Sequence, residues 1–355
     1  MNFSELNTWL SIENEPLIIA GPCGAESEEQ VFTIAEQLSK IPQVSLFRAG
    51  IWKPRTRPNT FEGRGEEGLK WLKEAKEKFG LKTTVEVANA NHVELALKYG
   101  VDVLWIGART TVNPFSVQEI ADALKGNNIP VMVKNPIHQD LQLWIGAIER
   151  IYQAGINKIA AIHRGFFHYG SKKYRNEPFW QIPIELKTNF PDLPIICDVS
   201  HISGNRDLIQ EVSQYALNIN MSGLMIETHH QPDKALSDAQ QQITPETLKG
   251  IIGSLQIRQS ASGNNDNKDL MLELRKMIDK IDLDLLDLIK ERENVIQQIG
   301  KYKKENSISV FQLERWQEIL KTRSQWADKL NISRKHVEKL CQLLHEESIR
   351  IQNNI

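Results

Sequence analysis

The sequence predicts an α/β protein: a (β/α)8 barrel, the TIM-barrel architecture, followed by a small all-α helical bundle. Short segments rich in Val, Ile and Leu alternate with amphipathic segments from Pro16 to Gly253. Eight such repeats in about 250 residues are the number and length that this barrel needs. From Leu270 onward the alternation is gone, and the chain contains a single glycine, Gly300, and no proline. That change in the sequence pattern predicts a separate helical domain.

Eight apolar segments have the composition of parallel strands that are buried on both faces. They are 17–20, 44–49, 83–87, 101–106, 131–134, 158–163, 195–198 and 224–227. The stretches between them carry apolar residues at the spacing of crossover helices, clearest in 28–40, 65–79, 91–99, 116–125 and 141–153. Because strands that alternate with helices form parallel sheets, this order favours the barrel.

Segment 259–269, QSASGNNDNKD, has no aliphatic residue larger than Ala, as is typical of a linker. A flexible segment of this length has a root-mean-square end-to-end distance of ~17 Å, so we expect the two domains that it joins to stay close neighbours. We therefore assign residues 1–258 to the barrel and 270–355 to the helical domain. Within the latter, helices are predicted at 270–304, 313–327 and 333–352. Three helices bury little apolar surface on their own, so we expect at least a dimer.

The bulk composition excludes several classes of protein. Lys and Arg number 43 against 45 Asp and Glu, and this net charge of −2 favours neither nucleic acid nor a membrane as partner. No apolar run reaches the ~18 residues of a transmembrane helix, and the N-terminal segment lacks the basic-then-apolar pattern of a secretory signal. Three cysteines are too few for a disulfide framework. We therefore expect a reducing, cytoplasmic location.

Positive charge is concentrated where the predicted strands end, and in such a barrel the active site lies at the C-terminal ends of the strands. Six cations occupy these positions: Arg48, Lys53, Arg55, Arg109, Lys134 and Arg164. A buried charge is costly unless it is paired or bound to a ligand. Six cations together need strong anions, so phosphorylated substrates are expected.

The same region supplies a mixed set of metal-binding residue types: Cys23, His201, Glu227 and Asp238. Taken alone, Cys23 would more often be a small apolar core residue. Together with imidazole and carboxylates, it suits a divalent ion of the Mn, Fe, Zn or Co class, with a position open for substrate or water. The closely spaced Cys pairs of structural zinc sites are absent from the sequence.

These motifs recur in the order of a known family. Seven motifs together resemble 3-deoxy-D-arabino-heptulosonate 7-phosphate synthase, in the branch shared with 3-deoxy-manno-octulosonate 8-phosphate synthase. They are GPCGAES, FRAGIWKPRTRP, GAR, VKNP, IHRGF, DVSHISGNRD and ETHHQPDKALSDAQQ. The KPRT element, 53–56, favours the heptulosonate enzyme over the octulosonate enzyme, which is the alternative. Cys23 resembles the metal ligand of the metal-dependent members.

The resemblance implies condensation of phosphoenolpyruvate with erythrose 4-phosphate. It assigns phosphoenolpyruvate to Arg48, Lys53, Arg109, Lys134 and Arg164. It assigns erythrose 4-phosphate to Arg55, Thr56 and Asp198. Lys53 is also placed to move protons, and the metal would polarise the aldehyde or activate the attacking water.

On the first helix of the second domain, Arg292 and Lys303 share a face, since their azimuths differ by about 20°. Arg275 lies roughly 25 Å from Arg292 along the axis, so it cannot serve the same small ligand in its own chain. It is either a solvated charge or reaches into a partner's site. Two further pairs each face one way: Gln312 with Arg315, and Ser348 with Gln352.

The second domain resembles the all-helical chorismate mutase family along its length. The segments that carry the resemblance are ELRKMIDKIDLDLLDLIKERENVIQQIGKYK, FQLERW and EESIRIQ. The resemblance implies one site for chorismate and prephenate, with Arg275 donated by the other subunit: Arg275, Arg292, Lys303, Gln312, Arg315, Ser348 and Gln352. This rearrangement needs no cofactor and depends on holding a compact dicarboxylate. Lys303 and Gln352 would stabilise the ether oxygen, and Arg292 would bind substrate beside them as the third catalytic candidate.

Two positions depart from the mutase family, whose members usually carry acidic residues where this chain has Gln312 and Trp316. The mutase is therefore expected to be slow or partly specialised as a sensor, and the alternative is a non-catalytic, ligand-sensing dimerisation module. Both activities belong to aromatic amino acid biosynthesis through the shikimate pathway. Because the linker is short, we expect chorismate or prephenate on the mutase domain to inhibit the synthase.

Overall fold

The structure is a computed structural model that describes residues 1–10, 16–53, 60–171, 173–257 and 265–355. Contacts divide the chain into two compact units, Met1–Ser260 and Ala261–Ile355. The boundaries proposed from the sequence stay predictions.

The first unit contains the predicted closed barrel, in which eight strands follow one another in chain order. They are β1 (Leu17–Gly21), β2 (Val44–Arg48), β3 (Thr83–Val87), β4 (Val103–Ile106), β5 (Val131–Lys134), β6 (Ile159–His163), β7 (Ile195–Asp198) and β8 (Gly223–Glu227). The barrel closes where β1 pairs with β8 in parallel, with Gly21 opposite Glu227.

Helices alternate with these strands. They are α1 (Glu28–Ser39), α2 (Glu66–Phe79), α3 (Ala90–Lys98), α4 (Ala108–Thr111), α5 (Pro114–Leu124), α6 (Leu141–Gln153), α7 (Gln181–Asn189), α8 (Val199–Ser203), α9 (Ile209–Asn218) and α10 (Pro245–Ser254). Local signals set their ends. The Ser27 hydroxyl accepts a hydrogen bond from the Gln30 amide at 3.2 Å and caps α1. Gly80, at φ +70°, ends α2 in the left-handed conformation that glycine tolerates.

The apolar core has two layers because successive strand residues point to opposite faces. Leu17 and Ile19 belong to a cluster inside the barrel, together with Trp105. Ile18 and Ala20 belong to the larger cluster between strands and helices. The interior is therefore filled with side chains, which leaves the strand ends for chemistry.

The second unit is helical, with α11 (Asn265–Glu305), α12 (Leu313–Lys329) and α13 (Arg334–Asn353). α11 begins inside the segment 259–269 that we predicted as a linker. A polar composition alone therefore did not exclude a helix in this segment. α13 packs against both α11 and α12. None of the helices in the described residues is both long and apolar enough to span a membrane.

Candidate active sites

A cavity of about 270 Å³ lies among the strand-end residues of the barrel. Five of the six predicted cations line it: Arg48, Lys53, Arg109, Lys134 and Arg164. Cys23, His201 and Asp238 line the same cavity. Arg55 and Thr56 lie outside the described residues.

Parallel strands bring the cations together, since Arg48 ends β2, Lys134 ends β5 and Arg164 follows β6. Arg48 Nη2 is 3.0 Å from Glu227 Oε1, and Lys134 Nζ is 2.6 Å from Asp198 Oδ2. These ion pairs make the burial of both cations tolerable. Arg48 Nε and Nη1 are buried with no hydrogen-bond partner among the described residues, so donors remain for an anion.

Burial lowers the pKa of Arg164 to about 10, which still leaves the guanidinium protonated at neutral pH. Its Nη1 donates to Asn176 Oδ1 at 2.9 Å, and its backbone amide donates to Asn135 Oδ1 at 2.7 Å. These two contacts fix the position of the side chain at the rim of the cavity.

A second group offers metal ligands, because single ligand atoms of Cys23, Glu227 and Asp238 all lie within 4.8 Å of one another. Cys23 Sγ is 3.2 Å from Asp238 Oδ2. His201, the fourth predicted ligand, lies beside this group: its Nδ1 is 3.9 Å from Glu227 Oε1 and 3.0 Å from Asp198 Oδ1. A hydrogen bond from Nδ1 to Asp198 would leave Nε2 as the ligand atom.

The protonation states fit a divalent cation. Burial, reinforced by Glu227, raises the pKa of the Cys23 thiol to about 12. Burial would raise the pKa of the Glu227 carboxyl, but Arg48 and His201 hold it below its usual value. Burial also opposes ionisation of Asp238, yet Arg175 and His201 depress the pKa of that carboxyl. Two carboxylates beside a thiol that a cation would deprotonate are a set that accepts a metal ion.

Two residues that the sequence analysis missed support these ligands. Arg175 Nη1 donates to Asp238 Oδ1 at 3.0 Å and to Gln241 Oε1 at 2.5 Å. Gln241 Nε2 in turn donates to Glu227 Oε2 at 2.7 Å. Arg175 lies in the loop between β6 and α7, so a search restricted to strand ends passed over it. Gln241 belongs to the motif around Asp238, whose repeated glutamine was the available signal.

Glu86, near the end of β3, lines the cavity and accepts a hydrogen bond from Trp105 Nε1 at 3.0 Å. A Cβ atom on Gly107 would lie 2.0 Å from Glu86 Oε1. Glycine is therefore required at this point of the GAR motif, where it makes room for the half-buried Glu86 carboxylate, whose charge favours the protonated forms of Arg48 and Arg164.

In the helical unit, a cavity of about 390 Å³ is lined by Lys303 and Gln312. Three other predicted residues meet between α11 and α13. Arg292 Nη1 donates to the Leu344 carbonyl at 3.1 Å, and the Ser348 hydroxyl donates to the same carbonyl at 2.5 Å. Gln352 Nε2 donates to the Ser348 carbonyl at 3.0 Å.

Two predicted arginines are placed differently. Arg315 Nη1 donates to Glu318 Oε2 on its own helix at 2.6 Å. Arg275 is exposed on α11, roughly 25 Å from Arg292 along the helix. That Arg275 acts in a partner's site stays a prediction.

Comparisons with known proteins match both units. Residues 9–259 match the model of the DAHP synthetase I family, and residues 274–353 match that of chorismate mutase type II. A phospho-2-dehydro-3-deoxyheptonate aldolase from Thermotoga maritima is 32% identical over 246 residues, which cover 69% of this chain and 70% of that protein. A 2-dehydro-3-deoxyphosphooctonate aldolase from Campylobacter jejuni is 28% identical over 264 residues, covering 67% and 94%. The crystal structure of a Thermotoga maritima DAHP synthase has a TM-score of 0.61 at 32% identity, with 67% of each chain covered.

Proposed function

This chain belongs to the DAHP synthetase I family and carries a chorismate mutase type II domain, and we propose that its two sites act as the sequence assigns them. It is a bifunctional enzyme of aromatic amino acid biosynthesis. As a 3-deoxy-7-phosphoheptulonate synthase, a transferase, it condenses phosphoenolpyruvate with erythrose 4-phosphate and releases phosphate. As a chorismate mutase, an isomerase, it converts chorismate to prephenate.

The cation-lined cavity of the barrel is the observation that carries the proposal for the synthase site. Phosphoenolpyruvate bears a phosphate and a carboxylate, both of which suit arginine and lysine donors. We assign its phosphate and carboxylate to Arg109, Lys134 and Arg164. Arg48 adds the two buried N–H groups that lack a partner among the described residues.

Lys53 is the proposed proton carrier at this site. Its Nζ lies 2.6 Å from both the Sγ and the carbonyl oxygen of Cys23, and the side chain lines the cavity. An ammonium beside the proposed ligand group can hold a proton close to the reacting atoms. Arg55 and Thr56 stay assigned to erythrose 4-phosphate from the motif alone, and Asp198 would meet the sugar or tune His201.

We further propose that Cys23, His201, Glu227 and Asp238 hold a divalent metal ion of the Mn, Fe, Zn or Co class. The close grouping of thiol and carboxylates supports this assignment. Such an ion, when bound, supplies a Lewis acid for the aldehyde or for an attacking water. The residues of the chain hold phosphoenolpyruvate by its charges and keep it close to these ligands.

The mutase site needs no cofactor and, in our proposal, is shared between two copies of the chain. Arg292 and Arg315 would hold the carboxylates of chorismate, while Lys303 and Gln352 stabilise the ether oxygen and Gln312 and Ser348 complete the pocket. Arg275 would come from the second subunit. The exposed apolar residues of α11 support a dimer, since Leu274, Ile281 and Leu288 are 47%, 54% and 60% exposed.

We also propose that prephenate or chorismate, bound at the helical unit, inhibits the synthase. The short linker predicted at 259–269 motivates this proposal, because a tether of that length is expected to limit the separation of two domains. The substrate or the product of the mutase would then regulate the synthase reaction.

The consumption of phosphoenolpyruvate tests the synthase proposal. We expect turnover with erythrose 4-phosphate, much slower turnover with arabinose 5-phosphate, and loss of both after treatment with a chelator. A preference for arabinose 5-phosphate would instead support the octulosonate alternative, which the 28% identical relative keeps open. Activity that survives complete metal removal would contradict the metal proposal.

Chorismate turnover separates catalysis from a purely ligand-sensing module. An Arg292→Ala variant should lose prephenate formation, because its partly buried guanidinium is proposed to hold a substrate carboxylate. An unmodified protein that binds prephenate but turns over no chorismate would support the ligand-sensing alternative.

A further inference from the structure

α12 and α13 bring two aromatic side chains together beside the proposed mutase site. The rings of Trp316 and His345 stack with centroids 4.3 Å apart and planes 17° from parallel. Phe311 meets the same imidazole edge-on at 5.9 Å. Trp316 stands where mutases that resemble this domain usually carry an acidic residue. An aromatic stack therefore stands where the resemblance predicts a charged side chain.

His345 lies on the face of α13 that carries two of the proposed site residues. His345, Ser348 and Gln352 are spaced i, i+3 and i+7, which confines them to an arc of about 60°. Arg292 binds the carbonyl of Leu344, the residue that precedes His345. The imidazole is thus on the side of α13 that faces Arg292.

The polar atoms on this face include two that are buried and unsatisfied. His345 Nε2 and Gln352 Oε1 have no hydrogen-bond partner in the part of the chain that the structure describes. Buried polar atoms are normally paired, so such atoms at a binding site indicate groups that a ligand can satisfy.

The electrostatic surroundings keep this imidazole neutral. Burial lowers the pKa of His345, and the nearby Arg292 and Lys303 lower it further. A neutral imidazole has one N–H donor and one acceptor nitrogen, so it can pair with a hydroxyl group. The acidic residue that is usual at the position of Trp316 could only accept a hydrogen bond when ionised.

We propose that His345 is a further substrate-binding residue of the mutase site, which contacts the ring hydroxyl of chorismate, and that Trp316 is a positioning residue which presents it. The inference rests on the proposed mutase function. The nitrogen proposed to meet the hydroxyl is Nε2, which is buried without a partner among the described residues.

The variant His345→Phe tests this role in the full chain, because it keeps an aromatic ring for Trp316 and removes both nitrogens. We expect the KM for chorismate to rise about 10-fold, since the buried hydroxyl loses its partner, while kcat changes by less than about 3-fold. Loss of a contact that is made equally in the ground state and the transition state raises KM and leaves kcat unchanged. His345→Gln, whose side-chain amide replaces the imidazole as a hydrogen-bonding group, should recover part of the affinity.

His336→Phe is the matched control. His336 is exposed on the same helix and lies about 180° around it from His345. Its substitution should leave KM and kcat unchanged. Equal KM values for the unmodified protein and His345→Phe would overturn the inference, whereas an unmodified protein without chorismate turnover would overturn the proposed mutase function itself.

A binding measurement covers the case in which His345→Phe fails to fold. In the unmodified protein with labelled histidine, addition of prephenate should shift the His345 imidazole NMR signal and leave that of His336 in place. The His345→Gln and His336→Phe variants assign the two signals. A His345 signal that does not move when prephenate saturates the site would reject the contact.

Discussion

At the scale of single residues, Gln241 holds the proposed metal ligands in place. It is 1% exposed and joins Arg175 to Glu227 through its two amide atoms. Asp238 stands at φ +50°, a conformation that non-glycine residues adopt only when their surroundings support it. Arg175 provides such support through its hydrogen bond to the Asp238 carboxylate.

We predict that Gln241→Leu weakens metal binding. The change leaves a Glu227 oxygen without its donor and removes an acceptor from Arg175, so the carboxylates lose their fixed orientation. Loss of an outer contact of this kind lowers metal affinity by about 10- to 100-fold. Competition between the metal-free protein and a fluorescent chelator measures the dissociation constant directly.

Gln240→Leu is the control for that measurement, since Gln240 is exposed on the same turn. It should bind metal as the unmodified protein does. If Gln241→Leu also retains full affinity, the bridge has no role in holding the ligands.

A second residue, His163, should make the barrel sensitive to acid. It is 0% exposed, and burial lowers its pKa from 6.5 to about 3. Between these values the unfolded chain binds a proton that the folded chain does not, so stability falls as the pH falls below about 6.5. From there to about pH 5, this residue alone should lower the free energy of unfolding by about 2 kcal/mol.

The variant His163→Phe should therefore lose less stability between neutral pH and pH 5, by about 2 kcal/mol, than the unmodified protein loses. Urea unfolding followed by tryptophan fluorescence gives both values. His168→Phe, at an exposed histidine in the following loop, should keep the full dependence. The same pH dependence in His163→Phe and in the unmodified protein would show that this imidazole is not the cause.

At the scale of elements, α11 presents an apolar stripe that its own unit leaves uncovered. Leu274, Ile278, Ile281 and Leu285 are each about half exposed. Their spacing of three or four residues places them on one helical face. Because these side chains are already half buried, covering each of them contributes roughly 1 kcal/mol, and the sum over the stripe favours association with a second copy.

We predict that Leu274→Glu combined with Ile281→Glu prevents association through α11. Charges placed in an apolar interface are costly to bury, so sedimentation should show a smaller species. Mutase turnover should fall at least ~10-fold, because the Arg275 of a second subunit no longer reaches the site. Synthase turnover should be kept, since the substitutions lie outside the barrel.

Lys276→Glu combined with Lys280→Glu is the matched control, as these exposed positions lie off the stripe on the same helix. This variant should keep both its mass and its mutase turnover. A Leu274→Glu, Ile281→Glu protein that matches it in both measurements would contradict the α11 dimer.

At the scale of the whole molecule, the proposal of inhibition by prephenate can be tested in the intact chain. Prephenate should lower phosphoenolpyruvate consumption, and the Arg292→Ala variant should resist it because its carboxylate contact is lost. Coupling of 1–3 kcal/mol between two sites corresponds to roughly 5- to 150-fold in affinity, which inhibition curves resolve.

Lys290→Ala provides the control, since Lys290 is an exposed cation on α11 that pairs with Glu293 at 3.4 Å. It should remain as sensitive as the unmodified protein. Equal inhibition of the unmodified protein and Arg292→Ala, or no inhibition of either, would contradict the proposal that prephenate bound at the helical unit inhibits the synthase.

The sequence by itself determined the barrel and most of the cations that line its cavity. The positions of strands and helices follow from the spacing of apolar residues and from capping residues such as Ser27. Both signals depend only on residues that are close together in the sequence. Because parallel strands in a closed barrel all end at one rim, knowing that Arg48, Lys134 and Arg164 lie at strand ends was enough to predict that they gather.

The tertiary structure decided what depends on side chains from separate segments. The pairing of β1 with β8 brings Cys23 to Glu227, and the bridge from Arg175 through Gln241 crosses between two loops. The stack of Trp316 on His345 likewise needs two helices to meet. No local pattern encodes such contacts, because packing at a distance along the chain, and not residue spacing, selects which atoms touch.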